Sequence, residues 1–253
     1  MVRTRKIGDR EFAVTADPTL GNVEIDGCAD PGLGVGVGPM PEGKPTPADS
    51  VCDIQTVMGS GSPGLMDDLE RDPEEFQIFP NPAQGDGRDG SWSWYPQNVE
   101  VGISDDAGNG VLRYAASNLG AWTGVTLAFL GGNGAGACYD ASAYTGLRFR
   151  IRGNVTSSDE LNGKVIVSMV TAETQTTALG GDLDGMGGHF NLQVDITSSW
   201  QTVEIPWGNF NTPTWGDSLN LTSLALAKLQ AIDWGVSNTA STFDIYLDDI
   251  ELY

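Results

Sequence analysis

Hydrophobic and polar residues alternate with a period of two along much of the second half of the chain. From Gly146 to Arg152, Leu147, Phe149 and Ile151 share one parity and Arg148, Arg150 and Arg152 the other. Such alternation is the mark of a half-buried strand. Phe190, Leu192, Val194 and Ile196 alternate in the same way with Asn191, Gln193 and Asp195, and Val203 and Ile205 with Thr202 and Glu204. Lys164 to Val170 is β-branched and mostly apolar, which reads as a strand covered on both faces. Leu229 to Val236 and Phe243 to Leu252 complete the set. Turns rich in Gly, Asn, Asp and Ser separate these runs, and the one helical turn expected, Leu221 to Leu229, is short. Period-two strands without helical crossovers predict an all-β chain, an antiparallel β-sandwich or jelly roll over residues 65–253.

Residues 1–64 follow a different pattern. Phe12 to Thr15 and Val23 to Asp26 are two short alternating stretches, too little to form a sheet without partners. From Gly27 to Gly64 the chain holds nine Gly and six Pro in 38 residues, a linker composition. The expectation is an extended Gly/Pro-rich N-terminal arm that docks on the main body or on another chain.

Composition then narrows the partners. The chain has 253 residues, with 13 Lys and Arg against 34 Asp and Glu, and a formal charge of -21. That balance excludes a nucleic acid or an anionic membrane held by a basic surface. The longest apolar runs fall well short of the roughly 20 residues of a spanning helix. The opening MVRTRKIGDREFAV has no apolar stretch behind its charges and does not read as a secretory leader. Three cysteines, Cys28, Cys52 and Cys138, permit one disulfide. Spacing favours Cys28 with Cys52, which closes a loop of about two dozen residues worth roughly 3 kcal/mol in the chain-entropy model. That pairing implies an oxidising compartment and leaves Cys138 as a small buried hydrophobe; three free thiols is the alternative.

Four motifs carry a resemblance. Met66-Asp67-Asp68-Leu69-Glu70 has the look of an opening strand, Gly87-Arg88-Asp89-Gly90-Ser91-Trp92 of a turn, and Tyr139 to Leu147 reads YDASAYTGL. Phe243 to Ile250 reads FDIYLDDI. In this order, spanning residues 65–253, the chain resembles bacterial extracellular β-sandwich domains related to carbohydrate-binding modules, with a galactose-binding-like jelly roll. Those domains often carry a Cys-containing loop where this chain has Gly180 to Gly188 without cysteine, and residues 1–64 have no counterpart.

In such sandwiches the first and last strands are neighbours, so Asp67, Asp68 and Glu70 are expected to meet Asp248 or Asp249. Several oxygens there would suit calcium, and the resemblance implies a structural calcium at this place. The alternative is that these acids shape turns or are neutralised by Arg88. Sugars present flat C–H faces that stack on exposed aromatic rings. Of seven Trp, the candidates for such a platform are Trp94 with Tyr95, Trp122, Trp215 and Trp234. Arg148 and Arg150, in the row that ends at Arg152, are candidates to grip hydroxyls together with Gln193, Asn191 and Asp233. Against that stands cross-strand pairing of the row with Asp195, Glu204 and Asp244.

Nothing in the sequence marks catalysis. There is one histidine, His189, and neither an HExxH nor a Gly-x-Ser-x-Gly element. The leading reading is therefore a non-catalytic extracellular or cell-surface module that binds a polysaccharide or other glycan and holds one calcium. The rival is a filament or surface-assembly subunit that self-assembles through residues 1–64, adding Phe12 to Thr15 or Val23 to Asp26 as a strand to a neighbour. A glycan-cleaving enzyme, which would need two carboxylates converging in a cleft, comes third.

Overall fold

The computed structural model describes residues 2–7, 10–16, 23–26, 56–58, 64–71, 88, 90–96, 99–119, 121–130, 138–176, 188–211 and 224–253. The chain divides into two compact units, Met1–Gly43 and Lys44–Tyr253.

The first unit is a three-stranded antiparallel meander of β1 (Val2–Ile7), β2 (Arg10–Ala16) and β3 (Val23–Asp26). The register Ile7↔Arg10 leaves a two-residue loop between β1 and β2, a standard hairpin connection. The two stretches expected to seek an outside sheet thus pair within their own unit, as Ala13↔Asp26 to Ala16↔Val23. The arm also holds one strand more than the two expected. Its end at Gly43 differs from the expected boundary at residue 64, because β4 (Thr56–Met58) already belongs to the main body and pairs in parallel with β10 (Cys138–Asp140).

The second unit is the expected antiparallel β-sandwich. One sheet runs β13 (Phe190–Asp195), β12 (Lys164–Thr171), β15 (Leu229–Val236), β10 and β4, and adds β9 (Thr123–Ala128) beside β15 and β6 (Trp92–Tyr95) beside β9. The other runs β14 (Gln201–Pro206), β11 (Gly146–Ser157), β16 (Ala240–Leu252), β8 (Asn109–Ser117) and β7 (Glu100–Asp106), with β5 (Gly64–Asp67) on β16. Within the described residues the only helical pieces are two short 3-10 turns, Trp207–Asn209 and Leu226–Lys228. The second lies inside the stretch expected to make a helical turn.

Parity along each strand decides what is core. Leu147, Phe149 and Ile151 are fully buried, and the arginines between them are not. On β15, Ile232, Trp234 and Val236 face inward, and Trp234 packs on Trp92 at 5.7 Å and edge-on to Phe149 at 5.6 Å between ring centroids. The β7–β8 turn closes as Asp106↔Asn109, with Ala107 and Gly108 both at positive φ (59° and 90°). This is the mirror-image turn whose twist matches its strands.

The closing motif contains a break in parity. Leu247 and Ile250 are both fully buried, yet they lie three residues apart. An extra residue is needed to put both inward, and Asp249, at φ +47°, supplies it, opposite a register shift between Arg148 and Arg150. Such a one-residue insertion is a β-bulge. Asp249→Gly suits a positive φ better than Asp does, so it should leave the urea midpoint unchanged or raise stability by up to about 1 kcal/mol. A loss of more than that would make the Asp249 carboxylate, rather than the backbone bulge, the structural element.

Candidate functional site

The seven-stranded sheet presents its outward parity in two cross-strand rows. One runs Tyr95↔Gly124↔Gly235↔Ile166↔Gln193, from β6 to β13. The other runs Ser93↔Thr126↔Asp233↔Ser168↔Asn191. Four inter-strand steps of about 4.8 Å make each row about 19 Å long. The middle of this face is recessed: Asp233, Ser168 and Ile166 are 7–8% exposed. At its β6 end stands Tyr95, 45% exposed, which with Trp122, 40% exposed, makes the two exposed large hydrophobic residues among the described ones. Trp122 directly precedes β9.

Tyr95 is held against the face by a gap in the side-chain layer. Its hydroxyl reaches across β9 to donate to Asp233 Oδ2 at 3.2 Å. A Cβ at Gly124 would lie 2.4 Å from that hydroxyl and 2.6 Å from Asp233 Oδ1, so only glycine leaves room there. Thr126 donates its hydroxyl to Asp233 Oδ1 at 2.7 Å. Burial pushes the Asp233 carboxyl up to about 6, against the opposing pull of those two hydroxyl hydrogen bonds. Burial of the hydroxyl end, then the neighbouring Asp233 charge, raises the Tyr95 phenol well above its ordinary range. The arrangement offers a ring face to solvent beside a recessed carboxylate acceptor.

The expected platform residues separate. Tyr95 and Gln193 share this outward face, with Lys164 Nζ donating to Gln193 Oε1 at 3.2 Å. Trp94 has the opposite parity and packs against the core. Trp234 is a correction: it is fully buried, because its neighbour Asp233 takes the outward position. Trp215 lies outside the described residues. Asp233 and Thr126 complete the site. Asp233 stood in the sequence only as a companion of the arginine row, and Thr126 carried no signal, since β9 shows no alternation that marks its outward parity.

The arginine row lies on the outer face of the other sheet. Arg148 pairs with Glu251 and, at 3.3 Å, with Glu204. Arg150 donates to Asp248 Oδ2 at 3.0 Å and stands over the Trp200 ring at 4.9 Å. Arg152 lies over Tyr246 at 4.0 Å and pairs with Asp106. Cross-strand pairing therefore occupies Arg148 and Arg150, which corrects their grouping with Gln193, Asn191 and Asp233: the two sets lie on different sheets.

The five carboxylates expected around calcium do not converge. Asp67 is fully buried and accepts from the Leu69 amide at 2.9 Å, from Arg71 at 2.5 and 2.8 Å, and from the Trp92 indole at 2.6 Å. Asp68 accepts from the Glu70 amide at 3.1 Å and Glu70 from the Gly110 amide at 3.1 Å, both as turn fixtures. Asp248 accepts from Asn109 and Arg150, and Asp249 forms the bulge. Among the described residues no three His, Cys, Asp or Glu side chains gather as metal ligands. Arg88 donates to the Leu65 carbonyl at 3.2 Å and lies over Tyr139.

Cys138 is disulfide-bonded, with its partner outside the described residues. This corrects the reading of Cys138 as a lone small hydrophobe; the expected Cys28–Cys52 pair lies outside the described residues. His189 shares a hydrogen bond with Thr174 at 2.8 Å, and burial pushes its imidazole down to about 4.

Two outcomes follow from these contacts. Asp67→Ala removes the buried carboxylate to which Arg71 and the Trp92 indole donate and should cost about 3–5 kcal/mol in chemical denaturation; a cost under 1 kcal/mol would remove this knot as a fold determinant. For Asp233, the folded carboxyl is raised above its ordinary value, so its contribution to stability is full below about pH 4 and is lost as pH rises through about 6. Stability relative to Asp233→Asn should therefore fall by about 3 kcal/mol between pH 4 and 7. A difference that stays flat over that window would show that the carboxyl titrates normally.

No protein-family model and no curated protein matches the chain. Among solved structures, it is similar to the family 11 carbohydrate-binding module of a cellulosomal cellulase of Clostridium thermocellum, at 17% identity and a TM-score of 0.46, covering 76% of this chain and 94% of that one. It is similar to the family 30 module of another cellulosomal cellulase of the same organism, at 16% identity and 0.46, covering 70% and 96%. It is also similar to a family 29 carbohydrate-binding module solved with mannohexaose, at 11% identity and 0.42, covering 76% and 90%.

Proposed function

We propose that the chain is an extracellular, non-catalytic module that binds a neutral glycan at the β6 end of its seven-stranded sheet. The observation that carries this reading is the exposed Tyr95 bonded to the Asp233–Thr126 recess, with a second exposed aromatic, Trp122, just ahead of β9. Aromatic faces take the apolar side of a sugar ring, and a carboxylate accepts from its hydroxyls. The Gly124 gap fixes the Tyr95 ring in advance, which lowers the entropy lost on binding. A binding rather than a cleaving role is supported by the neighbours of Asp233. Thr126, Tyr95, Ser168 and Asn191 flank it, whereas glycoside cleavage needs a second carboxylate across the bond. The bridge at Cys138 supports an oxidising compartment. In keeping with that placement, no helix among the described residues is long and apolar enough to cross a membrane.

The test is affinity electrophoresis of the full chain in gels containing mixed-linkage β-glucan, mannan, xylan or agarose. Retardation by at least one polymer is expected. Tyr95→Ala and Trp122→Ala should each weaken it about tenfold or more, in line with the 1–2 kcal/mol of a buried aromatic contact. Arg150→Ala, on the opposite sheet, should bind as the wild type does. Equal loss in all three variants would move the site, and no retardation by any polymer would defeat the reading.

A further inference from the structure

A cleft of about 600 Å³ opens at the end of the sandwich where β8 outruns its neighbour. β7 begins opposite Ala115, so Ala116 and Ser117 continue β8 with no partner from β7. The space left beside them is in the size range of small-molecule sites. Pro96, Leu119, Ala121 and Phe243 line its apolar side. Pro96 directly follows Tyr95, and Ala121 directly precedes Trp122. Each exposed aromatic is thus joined to a wall of the cleft.

The polar side carries both kinds of hydrogen-bonding group. Arg113 stands between two carboxylates, donating from Nε to Asp244 at 2.9 Å and from Nη1 to Glu100 at 3.0 Å. The pairs hold the guanidinium in place, and Glu100, 76% exposed, keeps acceptor capacity toward solvent. One cation flanked by two anions does not suit an anionic ligand. A group that both donates and accepts, with an apolar flank, does suit it, and a sugar ring with its hydroxyls has that character.

We propose that this cleft is a second subsite, taking a further neutral sugar unit of the glycan laid over Tyr95 and Trp122. The proposal rests on the glycan-binding reading above. It makes the site longer than the aromatic pair alone and places its far end on the edge of the six-stranded sheet, away from the recess around Asp233.

The test is calorimetric titration of the full chain with cello-, manno- and xylo-oligosaccharides of two to six units. Ser117 and Ala121 line the cleft and are exposed, so Ser117→Trp and Ala121→Trp can each fill it, and thermal melts check that both variants fold. Wild-type affinity should rise with length in at least one series. Both variants should lose about tenfold or more for the longest ligand while binding the shortest as the wild type does. Variants that match the wild type at every length would overturn the subsite and leave the function standing. Absence of wild-type binding to all three series, together with no retardation by agarose, would overturn both.

Discussion

The two-residue period of β15 and β16 is the constraint on which the rest of the sandwich depends. Each of these strands has neighbours on both sides, and each sends alternate residues into the shared core. A residue on such a strand has only two directions available, and a shift of one position exchanges them. Trp234 enters the core against Trp92 and Phe149, and for that reason Asp233 is turned outward into the recess beneath Tyr95. On β16 the bulge at Asp249 restores inward parity for Ile250 and Leu252 after Leu247.

The two outer faces differ in chemistry because the same chain divides its few cations unequally. The six-stranded sheet carries the row Arg148, Arg150 and Arg152, each paired with an acid and lying over an aromatic ring. Such a ladder satisfies itself and leaves little unspent hydrogen-bonding capacity. The seven-stranded sheet has glycine, serine and threonine along the same positions, so its floor is low and its one central carboxylate is held by hydroxyls. Recognition of a neutral partner fits the second face better than the first.

Charge neutralisation near the chain ends of the sandwich follows the same economy. Asp67 would be costly to bury alone, and Arg71, four residues on, meets it with two donors while Trp92 adds a third. The acidic motifs that open and close the domain form a buried ion pair, two turn contacts and a bulge. Acid-rich strings look alike in sequence whether they surround a metal or fix backbone, since the difference lies in where neighbouring cations fall.

The sequence by itself determined the strands with clean alternation, β11, β13 and β14, the mostly apolar β12 and the bounds of β15, because period two and apolar runs are local properties of residue order. It also determined the all-β class and the candidacy of Tyr95, Trp122 and Gln193. The tertiary structure decided which parity faces the core, and so buried Trp234 and exposed Asp233. It placed Arg150 and Gln193 on different sheets, brought β4 to β10 and so moved the domain boundary, and tied Cys138 into a disulfide. The site at Gly124 was likewise invisible in advance: a glycine in a strand reads as a weakness until a neighbouring strand brings Tyr95 across it. These outcomes depend on pairing between residues far apart in the chain, and no local pattern encodes which distant strand becomes a neighbour.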